Sequence, residues 1–468
     1  MEFTSKFNQG PIIKPMFNIG ALLDIPTGSW VTGLHGESIL NGGLGFITGM
    51  VGIGNNFKST LLHYMMLSAF SRVCEAYLTV MTTYDTEINV HEGRLLELSK
   101  RFGSFKNINI IEDMLWIITD KTVYSGDEFF EILKEDLDKK KKNANDYKVD
   151  TPFLDRDGKS LFKMLLPTFG VVDSLTEFQS KSELKMLDEN SLGDAGANTF
   201  HMRSGLIKHR FLMEMPQLSG SAYHYTGITG QLGKDIPIPS GPGGMAVPVK
   251  KLHYLKNGDK MKGVTDKFTF ATNNCWHSYN AVPLINQSTK EPEYPNELGS
   301  FSGDTDLNLV SLKMLRSKSG PTGYGIDLIV SQREGVLPEL SEFHFIKSMD
   351  RYGISGSLQH YALDLYPGCK VQRTTIRNKL DTDPLLRRAV NITAELCEMK
   401  YFMPHIEILE PKVLYEILEK KGYDWKALLA TRGYWTLNNE THPIPFLSTM
   451  DLVNMANDKY KPYWMNKK

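Results

Sequence analysis

The chain has 468 residues, with 53 Lys and Arg against 54 Asp and Glu and 41% hydrophobic residues, an ordinary globular composition long enough for two or three domains. A formal net charge of −1 excludes a protein that holds nucleic acid by overall charge, so any such surface has to be local. Cys74, Cys275, Cys369 and Cys397 are scattered without a C-x-x-C pair, which argues against a zinc site or a disulfide framework and suits a reducing cytoplasm. The N-terminus lacks a signal-peptide pattern, and no apolar run reaches the ~20 residues of a membrane helix, so no membrane partner is expected.

Residues 1–43 are interrupted by Gly and Pro and read as a short N-terminal arm and lead-in. From residue 44, strand-like and helix-like runs alternate, the pattern of an α/β unit with a mainly parallel sheet. The first such run, Leu44–Thr48, leads into Gly52-Ile53-Gly54-Asn55-Asn56-Phe57-Lys58-Ser59-Thr60 and then the helix-like Leu61–Leu67. Strand, Gly-rich loop and helix form the context of a phosphate-binding loop, in which backbone N–H groups and a helix N-terminus face phosphate oxygens. Lys58 is placed to reach the β- and γ-phosphates of ATP, and the Ser59 hydroxyl to ligate Mg²⁺. Phe57 stands where the usual pattern has Gly, so a plain Gly-rich turn before a helix remains open on this motif alone.

Ala76–Tyr84 predicts a buried strand ending at Asp85, and Glu128–Leu137 an amphipathic helix running into four lysines, Lys139 to Lys142. Those lysines suit a solvated helix end, with nucleic-acid contact the alternative. Asp155-Arg156-Asp157-Gly158 predicts a hairpin within residues 145–167. Phe169–Val172 predicts a strand ending at Asp173, and Ser221–Ile228 a weaker third strand. Residues 233–300 are rich in Gly, Pro, Asn and Lys and read as a long loop region. Leu307–Met314 and Tyr324–Val330 predict a hairpin, and helical patterns dominate beyond about residue 340, one of them opened by Pro384.

Nucleotide hydrolysis needs a carboxylate for the metal and its waters and another for the attacking water. Asp173 fits the first role or a strand cap; Glu87, in Tyr84-Asp85-Thr86-Glu87, fits a general base or a helix-cap partner. Together, Phe57-Lys58-Ser59, Tyr84-Asp85-Thr86-Glu87 and Val172-Asp173-Ser174-Leu175 resemble, in order and spacing, three motifs of phage recombinases of the RecA family, closest to the UvsX branch. The resemblance covers residues 15–400 in outline and is sharp only in these motifs. It implies a RecA-type P-loop ATPase core over residues 44–345, with 1–43 as an oligomerisation arm and 346–468 as a largely helical C-terminal region. It further implies Glu87 as catalytic base, ATP held by residues 52–60 (Gly52, Gly54, Asn55, Asn56, Phe57, Lys58, Ser59 and Thr60), and Mg²⁺ held by Ser59 and Asp173. Arg94 stands where the family stacks an aromatic on adenine, and a solvated helix Arg is the alternative. Thr229 and Gln231 both suit the family's nucleotide-sensing position. Arg316 and Lys318 match basic residues that reach the neighbouring subunit's ATP; otherwise they are strand-end charges.

The implied partners are single-stranded and double-stranded DNA, a helical filament of further copies, and mediator or single-strand-binding proteins, in the cytoplasm of a bacterial host. A first DNA loop would lie at Asn190–Ala197, leading to Arg203, Lys208 and Arg210. A second would start near Gly233 and include Gly243, Gly244, Met245, Lys250 and Lys251, where residues 241–267 carry six lysines against two aspartates; a solvated loop is the alternative. The aromatic, basic C-terminal end carries Trp425, Tyr434, Trp435, Tyr460, Tyr463 and Trp464, for which packing is the default. The activity so implied is an ATP-dependent DNA recombinase. A hexameric replicative helicase and a non-catalytic assembly protein on the same fold are the alternatives.

Overall fold

The computed structural model describes residues 13–20, 22–189, 197–234, 255, 259–262, 267–296, 301–357 and 359–466. The chain begins with a small hairpin, β1 (Trp30–Thr32) and β2 (Ser38–Leu40). Strand β3 (Ile47–Gly52) then leads through the glycine-containing loop into helix α1 (Lys58–Cys74). Next come β4 (Met81–Asp85), α2 (Glu92–Ser99), β5 (Trp116–Asp120) and α3 (Gly126–Lys142). A hairpin of β6 (Lys148–Leu154) and β7 (Leu161–Leu165) precedes β8 (Thr168–Asp173). Helices α4 (Lys181–Glu189) and α5 (Ala197–Ala222) lead to β9 (His224–Lys234), which pairs with the short β10 (Asp259–Met261). Helix α6 (Lys267–Ala271), β11 (Asn274–Pro283), β12 (Leu307–Ser317), β13 (Gly325–Ser331) and β14 (Gly335–Val336) complete the sheet-forming part.

The architecture is α/β around one ten-stranded sheet, ordered β14-β13-β12-β11-β3-β9-β8-β4-β5 with β10 on β9. From β11 to β5 every neighbouring pair is parallel, and β11 to β14 are joined antiparallel. Strands buried on both faces read as continuous apolar runs, which is why Phe169–Val172 was legible. Helix α1 packs across β3, β8 and β9. Leu61, Leu62, Met65, Met66, Phe70 and Val73 are all buried, each worth ~1.5–3 kcal/mol. This burial holds the helix N-terminus against the end of β3. Helix α3 starts with a capping box, in which Ser125 and the Glu128 side chain satisfy each other's backbone N–H groups.

Several elements differ from the sequence expectation. The strand predicted over Ala76–Tyr84 forms only at Met81–Asp85, because Ala76 and Tyr77 close the turn after α1. Ser221 and Ala222 end α5, and the third strand instead runs from His224 to Lys234, so Gly233 lies inside a strand. Residues 274–283 form β11, a central strand hydrogen-bonded to β3, within a region expected to be loop.

The described part of the lead-in, from Ile13 to Gly43, is built into the core rather than extended as an arm. The Phe17 ring is fully buried and stacks on Trp435 at 4.5 Å, whose indole N–H donates to the Met16 carbonyl at 3.3 Å. Ser38 N–H donates to Asp451 at 2.7 Å, tying β2 to helix Thr449–Ala456. The C-terminal region is helical over Ile376–Thr382, Pro384–Phe402 and Pro411–Lys420 but also holds a three-stranded sheet at Ile354–Gly356, Tyr361–Leu363 and Lys370–Val371. Its aromatics pack: the buried Trp425 indole donates to Leu365 carbonyl, and Tyr463 stacks on His35.

The lysine run at the end of α3 is not uniformly solvated. Lys139 and Lys141 pair with Asp136 and Asp138, but Lys140 is buried, its ammonium donating to Thr168 Oγ1 at 3.2 Å. Burial, with no carboxylate partner among the described residues, pushes the Lys140 amine down from 10.5 to about 7. Between about pH 7 and 10 the unfolded chain binds a proton at this amine that the folded chain does not. Stability contributed here therefore rises with pH across that window and is flat below it. Lys140→Met is expected to stabilise the protein at pH 6–7 by on the order of 2–4 kcal/mol and to flatten the rise in stability between pH 7 and 10. Urea unfolding at a series of pH values checks both.

Candidate functional site

The parallel strands share one register where β3, β4 and β8 end, while β9 and β11 run on past it. Gly52 on β3 faces Gln231 on β9 and Ser278 on β11, and Asp85 on β4 faces Asp173 on β8. In an open α/β sheet the carboxyl ends of the strands form the ligand crevice. Lys58, Ser59, Glu87 and Asp173 therefore converge from three separate stretches of chain.

The loop between β3 and α1 is shaped by two left-handed residues, Asn55 at φ +61° and Phe57 at φ +55°. A left-handed Phe costs about 1–2 kcal/mol relative to Gly, and its ring recovers part of this by packing on the core. Asn56 anchors the loop: its Nδ2 donates to the Ser278 carbonyl at 3.0 Å, and Ser278 Oγ donates back to the Asn56 carbonyl at 2.5 Å. Gly52 must be Gly, since a Cβ there would lie 2.6 Å from the Ser278 carbonyl oxygen. Lys58 folds over the loop and donates to the Ile53 carbonyl at 2.7 Å. Burial lowers the Lys58 pKa, and the negative charges of Asp173 and Glu87 oppose that fall. Ser59 and Gly54 are exposed at the loop surface, as the predicted phosphate contacts require, and Thr60 follows in the first turn of α1.

Glu87 is held by three donors. Ser174 Oγ and Gln231 Nε2 bond its Oε1 at 2.9 and 2.8 Å, and Asn89 Nδ2 bonds Oε2 at 3.1 Å. A carboxylate offers about four acceptor positions, so among the described residues one remains open to a water. Asp173 is buried and accepts from Thr229 Oγ1. Thr229 and Gln231, both on β9 and both expected as sensor candidates, thus serve different carboxylates. Thr86 fastens the two strand ends, its hydroxyl donating to the Ser174 carbonyl and accepting from the Ser174 N–H, both at 2.7 Å.

Asp85 is an organising residue that sequence reasoning passed over as a strand end. Its buried carboxylate accepts from the backbone N–H groups of Glu87, Ile88, Asn89 and Val90 at 2.7–3.0 Å. Charge-assisted bonds of this kind fix the turn that presents Glu87. His63 was also missed. It lies buried one turn into α1 with Nδ1 bonded to the Ser59 carbonyl at 2.8 Å, and burial lowers its pKa. The Ser278 anchor was hidden because β11 was not recognised as a strand.

Other predicted residues lie elsewhere. Arg94 donates to the Arg333 carbonyl in the β13–β14 turn, so its guanidinium is engaged there rather than presented for stacking. Arg316 and Lys318 sit at the opposite end of the sheet from Lys58. Arg316 pairs in register with Cys275, beside Gly49, and Lys318 N–H bonds the Asn273 carbonyl. Along the direction of β3, Lys318 lies level with Ile47, about 16 Å short of Gly52, and Arg316 level with Gly49, about 10 Å short of it and two strands away. Neither cation can reach the loop of its own chain.

Among the expected DNA contacts, Lys208 is buried with its ammonium on the Thr176 carbonyl, which corrects its reading as a surface cation. Arg210 is paired with Glu131 and Glu214, each at 2.8 Å, so its charge is locally neutralised. The side chain of Arg203 and residues Gly243, Gly244, Met245, Lys250 and Lys251 lie outside the described residues, as do 190–196 of the first expected loop. No known protein family and no curated protein matches this sequence.

As for metal binding, no cluster of three His, Cys, Asp or Glu side chains exists among the described residues. The Ser59 hydroxyl and the Asp173 carboxylate are hard oxygen donors of the kind Mg²⁺ takes when water and phosphate complete its shell. Asp85→Ala is expected to speed amide hydrogen exchange at residues 87–90 at least ~10-fold while leaving the β3–α1 loop unchanged, because it removes the acceptor of four N–H groups in the Glu87 turn. Hydrogen exchange read by mass spectrometry checks this.

Proposed function

We propose that this protein is an ATP-dependent DNA recombinase of the RecA kind, a DNA-stimulated ATPase that assembles as a helical filament on single-stranded DNA and promotes strand exchange. The observation that carries the reading is the convergence of Lys58, Asp173 and the Gln231-bound Glu87 at the carboxyl ends of parallel strands. A Gly-rich turn serving only as a helix lead-in has no need of two carboxylates acting on its lysine.

On this reading the backbone N–H groups of residues 53–58 and the N-terminus of α1 cradle the phosphates, with Lys58 turning from the Ile53 carbonyl to the β/γ oxygens. Mg²⁺, when bound by Ser59 and Asp173, screens the phosphate charge. Glu87 orients the attacking water through its remaining acceptor position and takes its proton. Gln231 links Glu87 to β9, which runs to Lys234 and into the basic, Gly-rich stretch assigned to DNA. DNA seated there would act on the base through this one hydrogen bond.

The opposite end of the sheet supports assembly. Arg316, Lys318 and Lys14 crowd there, and burial together with the two like charges lowers the Lys318 pKa. Such a cluster favours an anion, and the ATP of an adjoining copy supplies one. Hydrolysis would then require neighbours.

Lys58→Ala is expected to abolish ATP hydrolysis, and Glu87→Gln to reduce it at least ~100-fold while retaining ATP-bound filaments. Mixing Lys58→Ala with Arg316→Ala/Lys318→Ala protein is expected to restore part of the activity, since mixed interfaces contain intact sites. ATPase assays with and without single-stranded DNA, with electron microscopy of the products, check all three. Closed rings that unwind duplex would point instead to a helicase, and no turnover under any condition to an assembly protein.

A further inference from the structure

A small acidic cavity lies where the lead-in segment meets the C-terminal region, away from the strand ends. Its volume is about 40 Å³, room for roughly three waters or one small organic group. Asp24 from the lead-in and Glu395 and Glu398 from helix Pro384–Phe402 line it, with Pro26, Trp30 and Met399 as apolar wall. Asn18, Asp24, Glu395 and Gly433 also line a polar cavity of about 950 Å³, so the two spaces adjoin. None of the loop residues 52–60, Glu87, Asp173 or Gln231 lines either.

The carboxylates of the small cavity are unequally satisfied. Asp24 accepts from the Ile19 N–H and, at 3.3 Å, from Asn18 Nδ2. Glu395 accepts from the Thr449 hydroxyl. Glu398 is only 9% exposed and has no hydrogen-bond or ion-pair partner among the described residues. Its oxygens nonetheless keep accessible surface, so a group in the cavity can reach them. Glu395 and Glu398 stand one turn apart on the same helix, where like charges repel. Arg72 and Arg388 act on Asp24 and Glu395 only from a distance, their guanidinium groups bonding the Ile19 and Leu447 carbonyls instead. Burial, with the charges of Asp24, Glu395 and Glu342 close by, pushes the Glu398 carboxyl well above its usual range. A buried carboxyl group without a partner is costly, and a ligand that supplies the partner relieves the cost.

The missing partner is a cation that donates hydrogen bonds. A metal ion is a poor match, because no three His, Cys, Asp or Glu side chains among the described residues are grouped to hold one. A primary ammonium group is a better one. It carries three N–H donors and bonds carboxylate oxygens at about 2.8 Å, wider than the shell of about 2.0–2.6 Å around Mg²⁺ or Ca²⁺. Glu398, Glu395 and Asp24 surround a space small enough for one such group to lie among them.

We infer that this cavity binds the primary ammonium group of a small aliphatic amine, held by Glu398 together with Glu395 and Asp24. The apolar wall of Pro26, Trp30 and Met399 takes the alkyl chain. The inference is independent of the reading of the strand-end site.

Isothermal titration of the full chain with ethylammonium chloride at constant ionic strength tests it, with ethanol and potassium chloride as comparison probes. Saturable single-site heat with ethylammonium alone is expected. Glu398→Gln keeps the shape of the side chain and removes its charge. Because the carboxyl has no partner to lose, the variant is expected to fold, and to bind ethylammonium at least ~10-fold more weakly. Glu395→Gln can still accept from Thr449 and should weaken binding likewise. An equal response to ethanol or to potassium overturns the assignment of an ammonium site. So does the absence of saturable heat, the result for a Glu398 that simply stays protonated, and so does unchanged affinity in both variants.

Discussion

The shared register of β3, β4, β8, β9 and β11 is the constraint on which the rest of the structure depends. Each of these strands is paired in parallel with its neighbour, so where one stops relative to the next is set by backbone hydrogen bonds rather than by loop packing. Asp85 and Asp173 sit level, and Gly52 sits level with Gln231 and Ser278. A slip of one residue in any pair would turn the terminal side chain to the other face of the sheet. Glu87 would then lose Gln231, and Asn56 would lose Ser278. The burial of α1 across β3, β8 and β9 guards that register, because the same apolar contacts seat the helix N-terminus.

Fixed strand ends explain the division of labour among the acidic residues. Asp85 accepts four backbone N–H groups and shapes a turn. Asp173 shares an oxygen with Thr229, and Glu87 retains a free acceptor position while held from three sides. Carboxylates gathered at neighbouring strand ends thus differ in role by the donors that surround them. The sheet's other end carries the opposite sign of charge in Arg316, Lys318 and Lys14. On the proposed reading, the phosphate loop at one end of the sheet and this cation cluster at the other would meet in a heterologous contact between copies, which closes into rings or extends into filaments.

How much of this could be read from the sequence follows from how local each signal is. The loop at residues 52–60 and the strand end at Asp173 were legible, because a glycine pattern and a continuous apolar run are local features. So were the hairpins β6–β7 and β12–β13, whose turns carry Asp-Gly and Ser-Gly-Pro signals. Strand β11 was not, since Asn274, His277 and Ser278 make it polar in composition although it is paired on both sides. The role of Ser278 was lost with it. Lys208 and Lys140 read as surface cations because burial of a long side chain beneath neighbouring elements leaves no trace in its own stretch of sequence. The cavity lined by Asp24, Glu395 and Glu398 joins residues more than three hundred positions apart, a juxtaposition only the fold creates.

The most direct test of the account is a structure of the protein assembled with a non-hydrolysable ATP analogue, Mg²⁺ and single-stranded DNA. The account predicts the phosphates within the loop of residues 53–58, Lys58 on the β/γ oxygens, Mg²⁺ on Ser59, and Arg316 or Lys318 of an adjoining copy facing the γ-phosphate. Nucleotide bound away from the strand ends, or bound there with Glu87 and Lys58 both out of reach of the γ-phosphate, would contradict it.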